Sequence, residues 1–360
     1  MMGNSMYLNI IPEERLALIP EEYWQKHEFC FHLHDQLLHL LKQYEESGAH
    51  SIVENAFHEA ARGKEKELED LDILQFMKTN NLIWPYKHHI LSHTILGLTS
   101  DLLNFLYESL RCFEKRKFSV AFSLLRKPLK EHLLFLSWII AYEDDFISRF
   151  EENNHISFNG IFKKEKIDIF DKAIKKLHLK EAFDAETIWS IIYSKTHSNG
   201  FEPTWQRATH LTTSRGDLLK TEDYSFNFIF ESPWDDQYYD FVYWKLPLVL
   251  LFLTQILFEC FNRIHPTNKK TISYNIITAM GAYEAIFLDG RANAIRKSLQ
   301  NQLGDLLSCV QCDEKFKINK ANAADFFLTE RVNCRNCGIT SQFPLYWILA
   351  KANISFIETE

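Results

Sequence analysis

At 360 residues the chain has room for one large domain with a small one beside it, or for two of medium size. It is 46 % apolar and 14 % aromatic, with only 11 Gly and 9 Pro, which provides ample core and excludes a loop-rich β fold. A formal charge of −8 excludes general attraction to phosphate backbones, so any nucleic-acid contact must come from a local basic patch.

The chain opens with IPEERLALIPEEYW, two Pro-Glu-Glu helix starts in succession. Residues 21–46 then read as one helix, because Phe29, Leu33, Leu37, Leu40 and Leu41 recur at steps of three and four. Shorter helices are expected at about 50–61 and 64–79. A long helix begins at Pro85, with Ile90, Ile95, Leu98, Leu102, Leu106 and Leu110 as its apolar stripe. A second covers about 118–142, where Pro128 predicts a kink or break near Lys127. Two more helices follow at 165–178 and 186–195. The weakly periodic interval 198–234 reads as a long excursion of the kind that often carries function. Strong helical patterning returns at about 236–264 and at 271–303, the latter divided near Leu288–Arg291.

After Gly304 the texture changes, and EKFKIN and FLTERVN read as short strands. The expected architecture is mainly α. A multi-helix bundle spans 1–304, with 1–82 as a possible N-terminal subdomain. A small C-terminal β zinc-ribbon module (305–347) and a tail (348–360) follow.

The most apolar segment, KLPLVLLFLTQILFECF, is uninterrupted only from Leu246 to Leu253, far short of the roughly 20 residues of a membrane span. It reads as a buried core helix, and no membrane partner is expected. The first residues lack the basic-then-apolar layout of a secretion signal. Cys30, Cys112 and Cys260 stand alone in apolar runs, as small buried hydrophobes. An odd cysteine count without a disulfide framework favours a reducing compartment, and a cytoplasmic location is expected.

The remaining cysteines form two CxxC pairs, Cys309/Cys312 and Cys334/Cys337, with 21 residues between Cys312 and Cys334. Each CxxC turn aims two thiolates at one point, and two such turns complete a tetrahedral shell for one Zn2+. Gly338 suits the tight backbone of such a knuckle. This stretch resembles a zinc ribbon. Four thiolates leave no position for an activated water, so the ion is structural. The module either contacts nucleic acid or a protein partner, or simply holds together a fold too small for its own core. Five basic and four acidic side chains lie between the outer cysteines, a net +1 that does not mark a nucleic-acid binder.

A different signal lies in RCFEKRKFSVAFSLLRKPLKEHLLFL, residues 111–136, where seven basic side chains outnumber two acidic ones. Inside it, RKPLKEH places Arg126 six residues before His132, with five between them. A histidine there suits general acid–base work on a ribose hydroxyl, and a guanidinium suits charge developing on phosphate. An arginine, a polar residue and a histidine at this spacing in an all-helical chain resemble the HEPN family of bacterial defence and toxin systems. The resemblance covers at most residues 85–300. It implies a ribonuclease that needs no metal and composes its site across a homodimer, with Arg126 and His132 catalytic and Lys127 in support. RNA would be the substrate. Pro128 inside the motif departs from the family, and the stretch equally fits a looser LLR…E pattern in which Arg126 and Glu131 are the significant pair. On a straight helix Arg126 and His132 stand roughly 120° apart, so a kink or a partner must bring them together. The structural alternative is an Arg126–Glu131 ion pair with His132 packed beside Leu129 and Leu136.

Other candidates each have a plain structural reading. His197, in YSKTHSNG, is either a site residue or part of a helix terminator, and any cleft would be searched for it and for Arg207. The histidines at 27, 32, 34 and 39, and those at 88, 89 and 93, lack metal-site spacing and read as surface or interfacial. Glu143, Asp144 and Asp145 either hold a cation or start a helix. No phosphate-binding glycine loop, hydrolase elbow or dinucleotide fingerprint is present. The sequence therefore supports two readings: a HEPN-like ribonuclease, or a non-enzymatic helical sensor or adaptor that binds nucleic acid or protein.

Overall fold

The computed structural model describes residues 7–48, 51–63, 72–153, 160–196, 200–212, 221, 223, 226–227, 235–288 and 293–352. Mainly helical, it has one small sheet near the C-terminus. Each Pro-Glu-Glu start forms a single 3-10 turn, Glu13–Arg15 and Glu21–Tyr23, before α1 (Trp24–Glu46). The predicted stripe of α1 is buried, and so is Glu28, whose carboxylate accepts hydrogen bonds from Leu8 and Ile10 N–H. α2 (Ser51–Ala61) and α3 (Ile73–Thr79) precede the long α4 (Ile83–Glu114), which starts two residues before Pro85. The part of the expected 64–79 helix at 64–71 lies outside the described residues.

Next come α5 (Phe118–Lys127) and α6 (Leu133–Ala141), with five residues between them, Pro128–His132, wound as a π turn. The expected break is absent, and the chain stays helical through Lys127 and Pro128. Proline lacks the N–H for the regular ladder and its ring crowds the preceding turn. Widening to i→i+5 bonding, with Leu133 N–H reaching the Pro128 carbonyl, accommodates both. α7 (Glu143–Asn153), α8 (Lys163–Ile174) and α9 (Ala185–Tyr193) follow. A further helix, α10 (Phe201–Thr209), occupies the start of the interval read as an excursion, because Phe201 and Trp205 share one buried face.

The 236–264 pattern divides at Trp244–Lys245 into α11 (Gln237–Tyr243) and α12 (Leu246–Ile264). Together they are long and apolar enough to cross a membrane, but 78 % of the most apolar window is buried inside the fold. α12 packs against α1, α4 and α6, while α8 lies against α6, α9 against α8, and α10 against α5. α13 (Lys269–Phe287) and α14 (Ala294–Leu303) complete the helical body; of the expected division, 289–291 lies outside the described residues.

Beyond 304 the strands differ from expectation. EKFKIN contributes only the Ser308–Lys315 bridge, and FLTERVN is divided: its first three residues end a helix, α15 (Ala323–Thr329), and its last three are strand. The hairpin instead flanks the second CxxC: β1 (Arg331–Asn333) pairs antiparallel with β2 (Thr340–Gln342), Val332 opposite Ser341. Phe326 and Phe327 are adjacent and both buried, which an alternating strand with one wet face does not allow. α15 and α16 (Leu345–Ala352) pack on α13. One apolar cluster includes residues on both sides of 304, among them Leu303, Cys309, Phe326 and Phe343.

Candidate functional site

The two CxxC turns meet face to face. Cys309 Sγ is 3.5 Å from Cys337 Sγ and Cys312 Sγ is 3.6 Å from Cys334 Sγ, all four lying within 4.8 Å of one another. Four thiolates about 2.3 Å from a tetrahedral centre would stand about 3.8 Å apart, whereas a disulfide needs about 2.05 Å. The cluster therefore has the dimensions of a one-ion site. Gly338 takes the left-handed φ of +74° that closes the second turn, and Cys334 N–H donates to the Ile339 carbonyl. Gln311 N–H points at Cys309 Sγ from 3.4 Å, and this draws the thiol down to about 6. Zn2+, which the ribbon likeness implies, suits this donor set, and four protein ligands leave no coordination position for a reacting water.

The RKPLKEH segment is the π turn itself plus the two residues before it. Around it the cations are met by carboxylates. Lys127 Nζ is 2.5 Å from Asp101, Lys130 Nζ is 2.6 Å from buried Glu202, and Arg126 Nη1 is 3.8 Å from Glu131. Earlier in the basic stretch, Arg111 meets Glu114 at 2.5 Å and Arg116 meets Asp236 at 2.7 Å. His132 is 3 % exposed, with Nε2 3.2 Å from Asp101 and Nδ1 buried without a hydrogen-bond partner among the described residues. Burial pushes its imidazole down to about 4 despite the attraction of Asp101, so it is neutral at pH 7. Arg126 is only half-buried, although its Nε is enclosed and unpartnered. Thus Asp101 gathers Lys127 and His132, while Arg126 pairs with Glu131 instead.

His197 lies outside the described residues. Arg207 is exposed on the last turn of α10, lining a groove against α11. The first histidine cluster is not superficial throughout: His27 and His34 are buried, and His27 Nδ1 lies 2.5 Å from the Tyr243 hydroxyl. His88 is also buried, stacked on Trp84 at 4.9 Å, whereas His89 and His93 stack on each other. Each carboxylate of the 143–145 run has a side-chain partner: Arg263 for Glu143, Lys87 for Asp144, and Trp138 Nε1 with Arg149 for Asp145. Among the described residues, the four cysteines are the one group with metal-site dimensions.

A buried ionic cluster went unread in the sequence. Glu114, at the end of α4, meets Arg15 Nη2 at 2.5 Å, Arg111 Nη1 at 2.5 Å and His27 Nε2 at 3.4 Å. Arg111 lies one turn away on the same helix, but Arg15 and His27 come from two other segments, which no local spacing reveals. Compared with family models, curated proteins and solved structures, the chain matches none, and the HEPN likeness gains no support from them.

Proposed function

We propose that this chain is a helical sensor or adaptor that binds nucleic acid or a protein partner and breaks no bond. One structural Zn2+, held by Cys309, Cys312, Cys334 and Cys337 in a reducing cytoplasm, keeps its C-terminal module folded. The observation that carries this reading is the condition of the basic segment. Five of its seven cations face carboxylates of the same chain, and the imidazole that would serve as general base is buried. A general base must reach the proton it removes. Exposed Val310 and Ile339, one on each zinc knuckle, suit contact with a protein partner through the module.

A HEPN-like, metal-independent ribonuclease acting as a toxin or anti-phage effector is the second reading. It is favoured by the π turn, a feature often found at functional sites, and by the gathering of Lys127 and His132 on Asp101 beside enclosed, unpartnered nitrogens of Arg126 and His132. This reading requires an opening motion or a homodimer partner to expose His132. Total-RNA integrity in a bacterial host, after expression of wild type, Arg126→Ala and His132→Ala, separates the two. The sensor reading expects intact RNA in all three. RNA lost with wild type and spared by a folded His132→Ala protein overturns it.

A further inference from the structure

The helix break between α11 and α12 opens a groove of about 740 Å³ against α10. Its lining combines two cations, an aromatic plate and one carboxylate. Arg207 reaches it from α10, while Asp240, Phe241, Trp244 and Lys245 reach it from the α11 side. Trp244 is 77 % exposed, more than the other exposed indoles among the described residues, Trp84 and Trp347. Lys245 is buried, with Nζ 3.6 Å above the Phe241 ring and donating to the Phe241 carbonyl at 3.1 Å. No described carboxylate lies within 4.0 Å of the charged atoms of Arg207 or Lys245. Burial lowers the Lys245 ammonium to about 8 against the pull of Asp240, so its charge is only partly compensated. Two cations against one carboxylate leave the groove a net positive charge, which an anion seated between Arg207 and Lys245 would meet.

We infer that this groove binds a nucleoside phosphate unit, either free or at the end of a single strand. The phosphate lies between Arg207 and Lys245, the base stacks on Trp244, and Asp240 accepts a hydrogen bond from a sugar hydroxyl or a base amino group. Stacking on an aromatic side chain beside a cationic track is how single-stranded nucleic acid is held without sequence readout. This inference rests on reading the chain as a binding protein and names a ligand for it.

The test is calorimetric and fluorescence titration of the full zinc-loaded chain with AMP, adenosine, inorganic phosphate and 5′-phosphorylated pentaadenylate. AMP is expected to saturate and to quench tryptophan emission. Adenosine and phosphate should each bind at least about tenfold more weakly, because each lacks half of the recognition. Arg207→Ala and Trp244→Ala should each weaken AMP about tenfold, Trp244→Phe should restore most of the affinity, and Lys42→Ala, distant and exposed, should change nothing. Tighter binding of the oligonucleotide assigns a strand end, and binding of AMP alone assigns a free nucleotide. No saturable binding of either, or binding that Arg207→Ala and Trp244→Ala leave intact, overturns the inference. So does a polyglutamate peptide that binds in their place. RNA cleavage in the host would overturn the non-enzymatic reading while leaving this measurement standing. Intact RNA without AMP binding removes the groove alone.

Discussion

Glu114 is 1 % exposed, yet it is held as a carboxylate. Burial works against its charge, but hydrogen bonds from His27 and Arg15 outweigh that and keep it below the usual carboxylate value. Removing one member of such a cluster leaves the others charged in a dry place, so Glu114→Ala should cost about 3–5 kcal/mol, read as a lower denaturation midpoint. An unchanged midpoint would mean that the cluster is not a clamp. Because its folded pKa lies below its unfolded one, this stability is present at neutral pH and is lost as pH falls through the carboxylate range. His132 acts in a higher window. Its folded form stays neutral down to about 4, whereas the unfolded imidazole takes up a proton below 6.5. Stability therefore falls between pH 6.5 and 4, by up to about 3 kcal/mol from this residue. Urea midpoints at pH 7.5, 6 and 5 should show His132→Gln losing less on acidification than wild type. Parallel losses would show that the imidazole is not held neutral. His32, also pushed down to about 4 by burial, retains its own share of the slope.

At the scale of elements, helices were legible because apolar spacing reports which face is buried, and α1 and α4 follow their stripes closely. The π turn was not, because periodicity carries no record of which carbonyl a given N–H chooses. Pro128 marked the place of the distortion, which takes the form of a π turn and not a break. α15 was missed for a related reason: six or seven residues are too few to distinguish two periods, and tertiary packing decided between them. That packing has one tight point. A Cβ added at Gly281 on α13 would lie 2.6 Å from the Phe327 ring, closer than real contacts allow. Gly281→Ala should destabilise the chain by about 1–3 kcal/mol, more than the gain in helix propensity offsets. Combining it with Phe327→Leu should cost less than the sum of the single changes, since the smaller side chain vacates the clash. Strict additivity in thermal denaturation would place the ring elsewhere.

Charge counted along the chain misleads at the scale of the whole molecule. The segment 111–136 reads as a basic patch because three of its five carboxylate partners lie elsewhere: Asp101 before it, Glu202 and Asp236 well after it. Folding consumes a surface that the sequence displays, and only the assembled body shows which cations stay open. The metal module has the opposite character. Its four clustered cysteines were readable from spacing alone, because two CxxC turns need no distant partner to define a site. What spacing could not reveal is how firmly the module joins the body. Ile318 N–H donates to Gln300 Oε1 at 2.7 Å, Arg296 donates to the Ile318 carbonyl at 2.9 Å, and Tyr274 donates to Glu330 at 3.0 Å. Since the apolar cluster also runs through Cys309 and Phe343 into Leu299 and Ala279, loss of the metal should be felt beyond the module. The purified chain is expected to carry one zinc ion by elemental analysis. Chelation, or Cys309→Ser, should lower the thermal midpoint by at least about 10 °C in a single transition, because α13 loses the surface that α15 and α16 cover. Two separated transitions would show that the module unfolds alone. A metal-free chain with an unchanged midpoint would show that the four thiols need no ion to hold their places.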